Sequence, residues 1–444
     1  MKISLSLLQR LPLLVLFSIT FIVFYLALTT EKVAAPIFND ARLILFLLLL
    51  PMLFRYVLQL LLLPIYSVLS RKISANVNKI EPLSVTVLIP AYNEEVGIIK
   101  TLQSVIDTQY PKLEIIVIND GSTDKTHQLM TNYIEHQTPS LNSNIQLHYL
   151  ALTNGGKSNA LNQALKVASN DIVMTIDGDC IMDPNAIKNT VKQFSCDKVG
   201  AVAGNVVIGN KSKPIEVIQQ LEYLCGFFLR RADSVLNSVF IIGGAAAAYR
   251  RKVLTEVGFF NSEIVTEDIE MSTRILAAGY KTKFASDAIT YTEGPSSWKG
   301  LFEQRLRWKF GRFQTFIKYK ELFFSKQKHH SKYLTWLVFP VAVYAEFILL
   351  LEALIVVAFF AITFYSNDYL PLALLISFMT VMITIQVHAH YKSRFHRNLL
   401  LLAPVAWLLF YVVEVVEFQA LCRSIKRLVK KQSLQWQKWV RVGL

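Results

Sequence analysis

Two membrane-length apolar runs near one end of the chain and three near the other enclose a polar central stretch, a pattern that no soluble single-domain fold accommodates. Leu11 to Thr29 and Leu43 to Leu69 come first; roughly Leu334 to Phe364, Leu370 to Val387 and Leu399 to Leu421 follow. Each is long enough for a tilted helical span of about 20 residues. The first run has a short basic start (Lys2, Arg10), as a secretory leader would. A second long run follows it with no small-residue cleavage site between, so a retained span is expected. A hydrophobic share of 53% and a mean hydropathy of +0.38 over 444 residues fit a mixed protein, part membrane and part soluble.

The net charge of +14 raises the question of a nucleic-acid partner. The distribution argues against one. Arg305 to Lys332 holds nine Lys/Arg against one Glu, and Arg423 to Arg441 holds seven with no acid, so the charge gathers beside the apolar runs. Anionic headgroups and cytoplasmic flanks explain that placement, and no groove-reading motif is present. Arg71-Lys72, the cluster before Leu334, and Lys392, Arg394 and Arg397 all read as cytoplasmic. The expected organisation is two spans over 1–70, a cytoplasmic domain over 71–333 with interfacial helices at its end, two to three spanning or re-entrant segments over 334–422, and a basic tail over 423–444. Five full spans would put that tail outside, so the block containing Pro404 is the first candidate for a re-entrant segment.

Polar residues inside the runs bear on the same question. Glu346, Glu352, Glu414 and Glu417 are costly in lipid and are expected to face protein, water or headgroups. His388, His390 and His396 lack an acidic or Cys partner and read as a juxtamembrane polar stretch. The cysteines, Cys180, Cys196, Cys225 and Cys422, show no metal-ligand spacing and are expected to be free thiols.

In the centre, strand-like runs (Val85 to Pro90, Ile115 to Asn119, Ile145 to Leu150, Ile172 to Ile176) recur at about 25–30 residues between helix-like segments, the signature of βα units in a mostly parallel sheet. Ligands of such sheets bind beyond the strands' carboxyl ends. Polar clusters sit there: Tyr92-Asn93-Glu94, Asp120-Gly121-Ser122-Thr123-Asp124 and Asp177-Gly178-Asp179. Two carboxylates at a strand end are suited to a divalent cation, which in turn grips a diphosphate. Singly, each cluster is also ordinary turn chemistry.

Their order is more informative. Pro90-Ala91-Tyr92-Asn93-Glu94, Asn119-Asp120-Gly121-Ser122, Asn154-Gly155-Gly156-Lys157 with Ala160-Leu161-Asn162, Asp177-Gly178-Asp179, Thr266-Glu267-Asp268 and Gln304-Arg305-Leu306-Arg307-Trp308 follow one another. Over about residues 84 to 320 this resembles the family 2 processive β-glycosyltransferases, the group of cellulose, chitin, hyaluronan and poly-N-acetylglucosamine synthases. The leading spans and the Thr-Glu-Asp motif look most like the branch that makes β-1,6-linked poly-N-acetylglucosamine.

The resemblance implies a GT-A type α/β nucleotide-sugar domain flanked by transmembrane helices, a UDP-sugar donor and a growing polysaccharide. It implies Mg²⁺ or Mn²⁺ on Asp179, with Asp177 contacting the donor and Asp120 accepting a hydrogen bond from uracil. Tyr92 and Glu94 would line the nucleotide cleft, and Lys157 would meet base or diphosphate unless it is a solvated loop lysine. Asp268, beside Glu267, matches the general base. Its other reading is a helix-start carboxylate behind a capping Thr266, with Ile269 to Leu276 helical. Gln304, Arg307 and Trp308 match the processivity pattern; Phe302, Leu306, Phe310, Phe313 and Phe316 or Ile317 would make the same segment a basic amphipathic interfacial helix. Gly243 and Gly244 would lie near the acceptor.

The expected reaction is inverting polymerisation of N-acetylglucosamine from UDP-GlcNAc, with passage of the product through a bacterial cytoplasmic membrane, where lipids and a small accessory subunit are the expected partners. Hyaluronan, chitin or chitooligosaccharide, and cellulose-type synthases are the neighbouring readings. A non-catalytic export scaffold would have no need of both Asp179 and Asp268.

Overall fold

The computed structural model describes residues 7–33, 35–76, 82–108, 110–137, 144–434 and 441–444. The chain forms two compact units, Met1–Val57 with Val341–Phe418, and Leu58–Pro340 with Gln419–Leu444. The described residues 419–434 and 441–444 thus fall in the same unit as the central domain.

Two long helices lead, α1 (Leu7–Thr29) and α2 (Pro36–Asn76). The central region then alternates as the spacing predicts: β1 (Val85–Ala91), α3 (Ile98–Ile106), β2 (Leu113–Asp120), α4 (Thr126–Gln137), β3 (Ile145–Leu152), α5 (Lys157–Val167) and β4 (Ile172–Thr175). There follow β5 (Ile181–Met182), α6 (Ala186–Val191), β6 (Val199–Ile208), α7 (Pro214–Val235), β7 (Ala247–Arg250), α8 (Arg251–Val257), α9 (Glu267–Ala277), β8 (Lys281–Thr292) and α10 (Trp298–Lys318). The last helices are α11 (Phe339–Tyr365), α12 (Leu370–Ala389), α13 (Asn398–Leu402) and α14 (Ala406–Val429).

The strands make one eight-stranded sheet in the order β3-β2-β1-β4-β7-β6-β8-β5. The β3-β2-β1-β4 half is parallel, while β7 joins β4 and β6 antiparallel. Helices cover both faces, which is why β2 and β4 read as near-continuous apolar runs and are buried at every position. Alternation within β1 sorts the two cores. Val85, Val87 and Ile89 pack with Ile98, Leu102 and Val105 of α3, whereas Leu88 belongs with Ile116, Ile118 and the Ala160, Leu161 and Ala164 stripe of α5. The chain leaves β1 toward β2 on one side, and β4 returns on the other. That topological switch point opens a crevice at the carboxyl ends of β1 and β4.

In the other unit, Val23 of α1 packs with Leu372, Ala373 and Ile376 of α12 and Trp407 of α14. Trp407 Nε1 donates to Thr20 Oγ1 at 3.2 Å, and Asp368 holds Lys32 at 3.0 Å and Arg42 at 3.1 Å. Five stretches are long and apolar enough to cross a membrane: Pro12–Thr29, Pro36–Ile73, Leu334–Tyr365, Leu370–Ala389 and Ser393–Val429. Only 6% of the most apolar part of Pro36–Ile73 is buried, which leaves an apolar surface consistent with a spanning helix. A 3₁₀ turn at Ala403–Val405 interrupts the last stretch at Pro404. Glu346 is buried and Glu352, Glu414 and Glu417 are half-buried, so none stands fully exposed on an apolar helix. All the cysteines are free.

Candidate active site at the carboxyl edge of the sheet

The turn after β1 is tied to the turn after β2. Asn93 adopts the left-handed conformation (φ 55°), and its Oδ1 accepts from Thr123 N at 2.7 Å and Asp124 N at 3.3 Å. Glu94 N donates to Thr126 Oγ1 at 2.8 Å, which fixes the buried Glu94 beside a half-buried Tyr92. Asp120 ends β2, and its two oxygens accept from Gly155 N and Gly156 N at 2.9 Å each. The acidic turn therefore holds the glycine turn that starts α5, and each Asp120 oxygen keeps a second lone pair for a further donor. Gly156 takes a φ of 85° there, open to glycine at no steric cost.

Asp177-Gly178-Asp179 leaves β4 beside this edge, with Gly178 O accepting from Thr101 Oγ1 at 2.9 Å. Lys157, the first residue of α5, sets its Nζ 2.6 Å from Asp177 Oδ1 and 3.0 Å from Glu267 Oε1. It is not a solvated loop lysine. Burial opposes its charge, yet Asp177, Glu267 and Asp268 together hold it protonated, well above the ordinary lysine value. Burial likewise pushes at Asp177, but Lys157 overrides it and keeps that carboxyl below its usual range. Asp179 goes the other way: burial raises it, the neighbouring Asp177 adds to the rise, and Arg441 offsets only part.

Asp177, Asp179 and Cys180 offer ligand atoms within 4.8 Å of one another, and no other His, Cys, Asp or Glu group converges so among the described residues. Near Lys392, the rings of His390 and His396 meet edge to face with centroids 4.3 Å apart. Burial and the two aspartates push the Cys180 thiol well up, so it stays protonated and donates to Asp179 Oδ1 at 3.4 Å. The carboxylates are the hard oxygen donors that Mg²⁺ or Mn²⁺ takes, and the thiol is not a competing ligand.

Across Lys157 lies the second acidic group, at the start of α9. Asp268 Oδ2 accepts from Gly244 N at 2.8 Å, and Oδ1 accepts from Ile269 N, also at 2.8 Å. Burial and the adjacent Glu267 nevertheless push its carboxyl up to about 6. The helix begins at Glu267 as expected, but Thr266 makes no side-chain cap. It packs instead against α10: a Cβ on Gly311 would fall 2.2 Å from Thr266 Oγ1 and 2.6 Å from its methyl, so only glycine lets the two helices approach here. Gly244, in the short turn before β7, reaches the site through its N–H and through a carbonyl that accepts from Thr175 Oγ1 at 3.0 Å. Gly243 has open space around the position of a Cβ.

Helix α10 carries the third group. Arg307 lies within the field of Glu267, Asp177 and Asp268; burial lowers it, and those carboxylates oppose the fall. Gln304 is buried. Trp308 stands 6.3 Å from Tyr223 of α7, and Arg305 lies over its ring at 4.3 Å while pairing with Glu222 at 2.6 Å. The amphipathic expectation is corrected in part. Leu306, Phe310 and Phe316 are buried, with Phe316 against Phe240, Phe323 and Phe339, so this face is domain core and not a lipid surface, while Ile317 is exposed.

Sequence reading overlooked three participants. Glu293 follows β8 at the same edge of the sheet, but β8 mixes Lys281, Lys283 and Asp287 with its apolar residues and gave no clear strand signal. Tyr223 had only its helical spacing to Phe227 as a signal. Arg441, counted among the lipid-facing charges, instead sets its Nη1 2.5 Å from Asp179 Oδ2.

A doubly wound sheet with paired aspartates at its switch point defines a GT-A-like nucleotide-sugar fold. The mannosyltransferase PcManGT from Pyrobaculum calidifontis, solved with GDP-Man and Mn²⁺, shares the fold at a TM-score of 0.53 and 20% identity, over 85% of this chain and 100% of its own. Residues 82–311 match the model of glycosyltransferase like family 2, and the chain belongs to that family. Poly-β-1,6-N-acetyl-D-glucosamine synthases of Staphylococcus aureus are 35% identical over 59% of this chain and 61% of their own length. The namesake from Staphylococcus epidermidis is 28% identical over 77% of this chain and 84% of its own. The match to the S. aureus proteins thus spans less than two thirds of their length.

Proposed function

We propose that the chain is an inverting, processive glycosyltransferase that polymerises N-acetylglucosamine from UDP-GlcNAc into a β-1,6-linked polysaccharide. Residues 71–333 are its cytoplasmic catalytic domain, and the apolar helices pass the product across the cytoplasmic membrane, with a small membrane subunit as partner. The observation that carries this reading is Lys157, which bonds the aspartate pair on one side and the Glu267-Asp268 group on the other. The similarity to the staphylococcal synthases supports the choice of sugar and linkage.

Donor binding falls to the first group. Asp120 accepts from the uracil ring, Tyr92 and Glu94 line the nucleotide cleft, and Lys157 and Arg307 supply positive charge to the diphosphate. Asp179, with Asp177 beside it, holds Mg²⁺ or Mn²⁺, which when bound offsets the negative charge of the diphosphate. Asp268 takes the proton from the acceptor hydroxyl. The freed oxygen then forms a bond to the anomeric carbon as that carbon's bond to the UDP oxygen breaks, and a single displacement turns an α-linked donor into a β-linked product. A carboxyl raised to about 6 suits this work, being ionised at neutral pH yet more basic than an ordinary aspartate. Gln304 Oε1 is buried with no hydrogen-bond partner, an acceptor that a sugar hydroxyl would satisfy. Trp308 and Tyr223 give the growing chain a flat apolar surface.

The test is a panel of labelled UDP-sugars supplied to membranes carrying the chain, with linkage-specific digestion of the product. UDP-GlcNAc as sole donor should give polymer cleaved by a β-1,6-hexosaminidase. Polymer from another sole donor, or GlcNAc polymer resistant to that enzyme, would refute the substrate or the linkage.

A further inference from the structure

Residues Arg441–Leu444 lie in the donor half of the site, and each has its own fitting there. The Arg441 guanidinium meets Asp179 Oδ2 at 2.5 Å through Nη1 and Glu94 Oε2 at 3.8 Å through Nε. Val442 N and Gly443 N donate to the two oxygens of Glu293 at 2.8 Å each, and Glu293 is only 3% exposed. Lys100 Nζ donates to Leu444 O at 2.6 Å. The Leu444 side chain fills the space over Gly209, where an added Cβ would fall 2.7 Å from Leu444 Cδ2. A surface segment in casual contact would not engage a buried carboxylate with two consecutive backbone N–H groups.

The geometry points to a self-bound strap: Arg441–Leu444 docks in the donor pocket, and its guanidinium holds the Asp179 oxygen that the divalent cation needs, so strap and metal compete. This rests on the reading of Asp179 as the metal ligand. The second oxygen, Oδ1, already accepts from the Cys180 thiol, so both Asp179 oxygens are engaged while the strap is docked. A guanidinium satisfies the local negative charge as a cation would, but it carries one positive charge where the divalent cation carries two, so it offsets less of a diphosphate's charge. Because the strap belongs to the same chain, it acts at a high effective concentration and needs little intrinsic affinity. Donor carried with its metal therefore enters by displacing the strap, and the pocket's acidic side chains are not left uncompensated between turnovers.

The test measures metal binding, not turnover. The full chain in detergent is titrated with Mn²⁺ and free Mn²⁺ is read by electron paramagnetic resonance, for wild type, Arg441→Ala, Leu444→Asp and Asp179→Ala. Arg441→Ala should tighten Mn²⁺ binding by about tenfold, the scale of one close ion pair. Leu444→Asp, which loosens the strap at its other end, should shift affinity in the same direction. Unchanged affinity in both strap variants, alongside lost binding in Asp179→Ala, overturns the strap alone. Wild-type Mn²⁺ binding by Asp179→Ala overturns the metal-ligand reading and the competition with it. Weaker binding of UDP with Mn²⁺ by Arg441→Ala also overturns the proposal, because it makes Arg441 a donor ligand.

Discussion

The site contains two acidic groups, and their surroundings drive them in opposite directions. Asp177 sits against Lys157 and stays below the ordinary carboxylate range, whereas Asp268, beside Glu267, rises to about 6. Both are half-buried, and both lie in the field of the same lysine. The difference is distance and company: Lys157 bonds Asp177 directly but reaches the second group through Glu267, which leaves Asp268 beside a like charge with no direct bond to the lysine. A permanent anion suits charge neutralisation and donor contact, and a basic carboxylate suits proton transfer, so each environment fits the role proposed for its group.

The largest effect expected from breaking this division is at Asp268. Asp268→Asn should lower polymer synthesis by about 10²- to 10⁴-fold, the range of general-base catalysis, with UDP-GlcNAc affinity retained in equilibrium binding. Robust synthesis by the variant would show that the proton goes elsewhere. Lys157→Met comes next, because it strands Asp177 and Glu267 together. Thermal or denaturant unfolding should show a loss of about 1–3 kcal/mol, less than for a fully buried pair because Asp177 keeps 35% of its side chain exposed. Its residual activity should fall off at higher pH than in wild type, since the lysine is what holds Asp268 down. Glu267→Gln makes the smallest change and in the opposite direction. Removing the adjacent negative charge should move the acid limb of the pH–rate profile below that of wild type, and an unmoved limb would mean that Glu267 does not set the Asp268 carboxyl.

The division was partly legible beforehand. The parallel half of the sheet followed from strand-like runs at regular spacing, and the clusters at strand ends followed from the rule that such sheets bind ligands there. Thr266-Glu267-Asp268 was readable as a helix start, but the cap expected from Thr266 is not made, and that was not readable because the packing of Thr266 on Gly311 depends on two helices meeting. The amphipathic stripe of α10 misled for the same reason: Phe310 and Phe316 have the spacing of an interfacial helix, and periodicity does not say whether lipid or protein covers the face. Arg441 was invisible in principle. It lies far along the chain from Asp179, and a basic residue in a basic tail carries no local mark of an ion pair with a buried aspartate.

The most direct test of the two-role account compares two pH profiles on the same membranes. As pH falls through about 6, Asp268 takes up a proton and can no longer accept one from the acceptor, so initial rates of polymer synthesis at saturating UDP-GlcNAc should drop toward tenfold per pH unit. Asp177, held low by Lys157, stays ionised over that range, so UDP-GlcNAc binding should remain flat. Synthesis that holds level through pH 6, or binding that titrates in step with synthesis, would contradict the assignment of proton transfer to Asp268 and donor contact to Asp177.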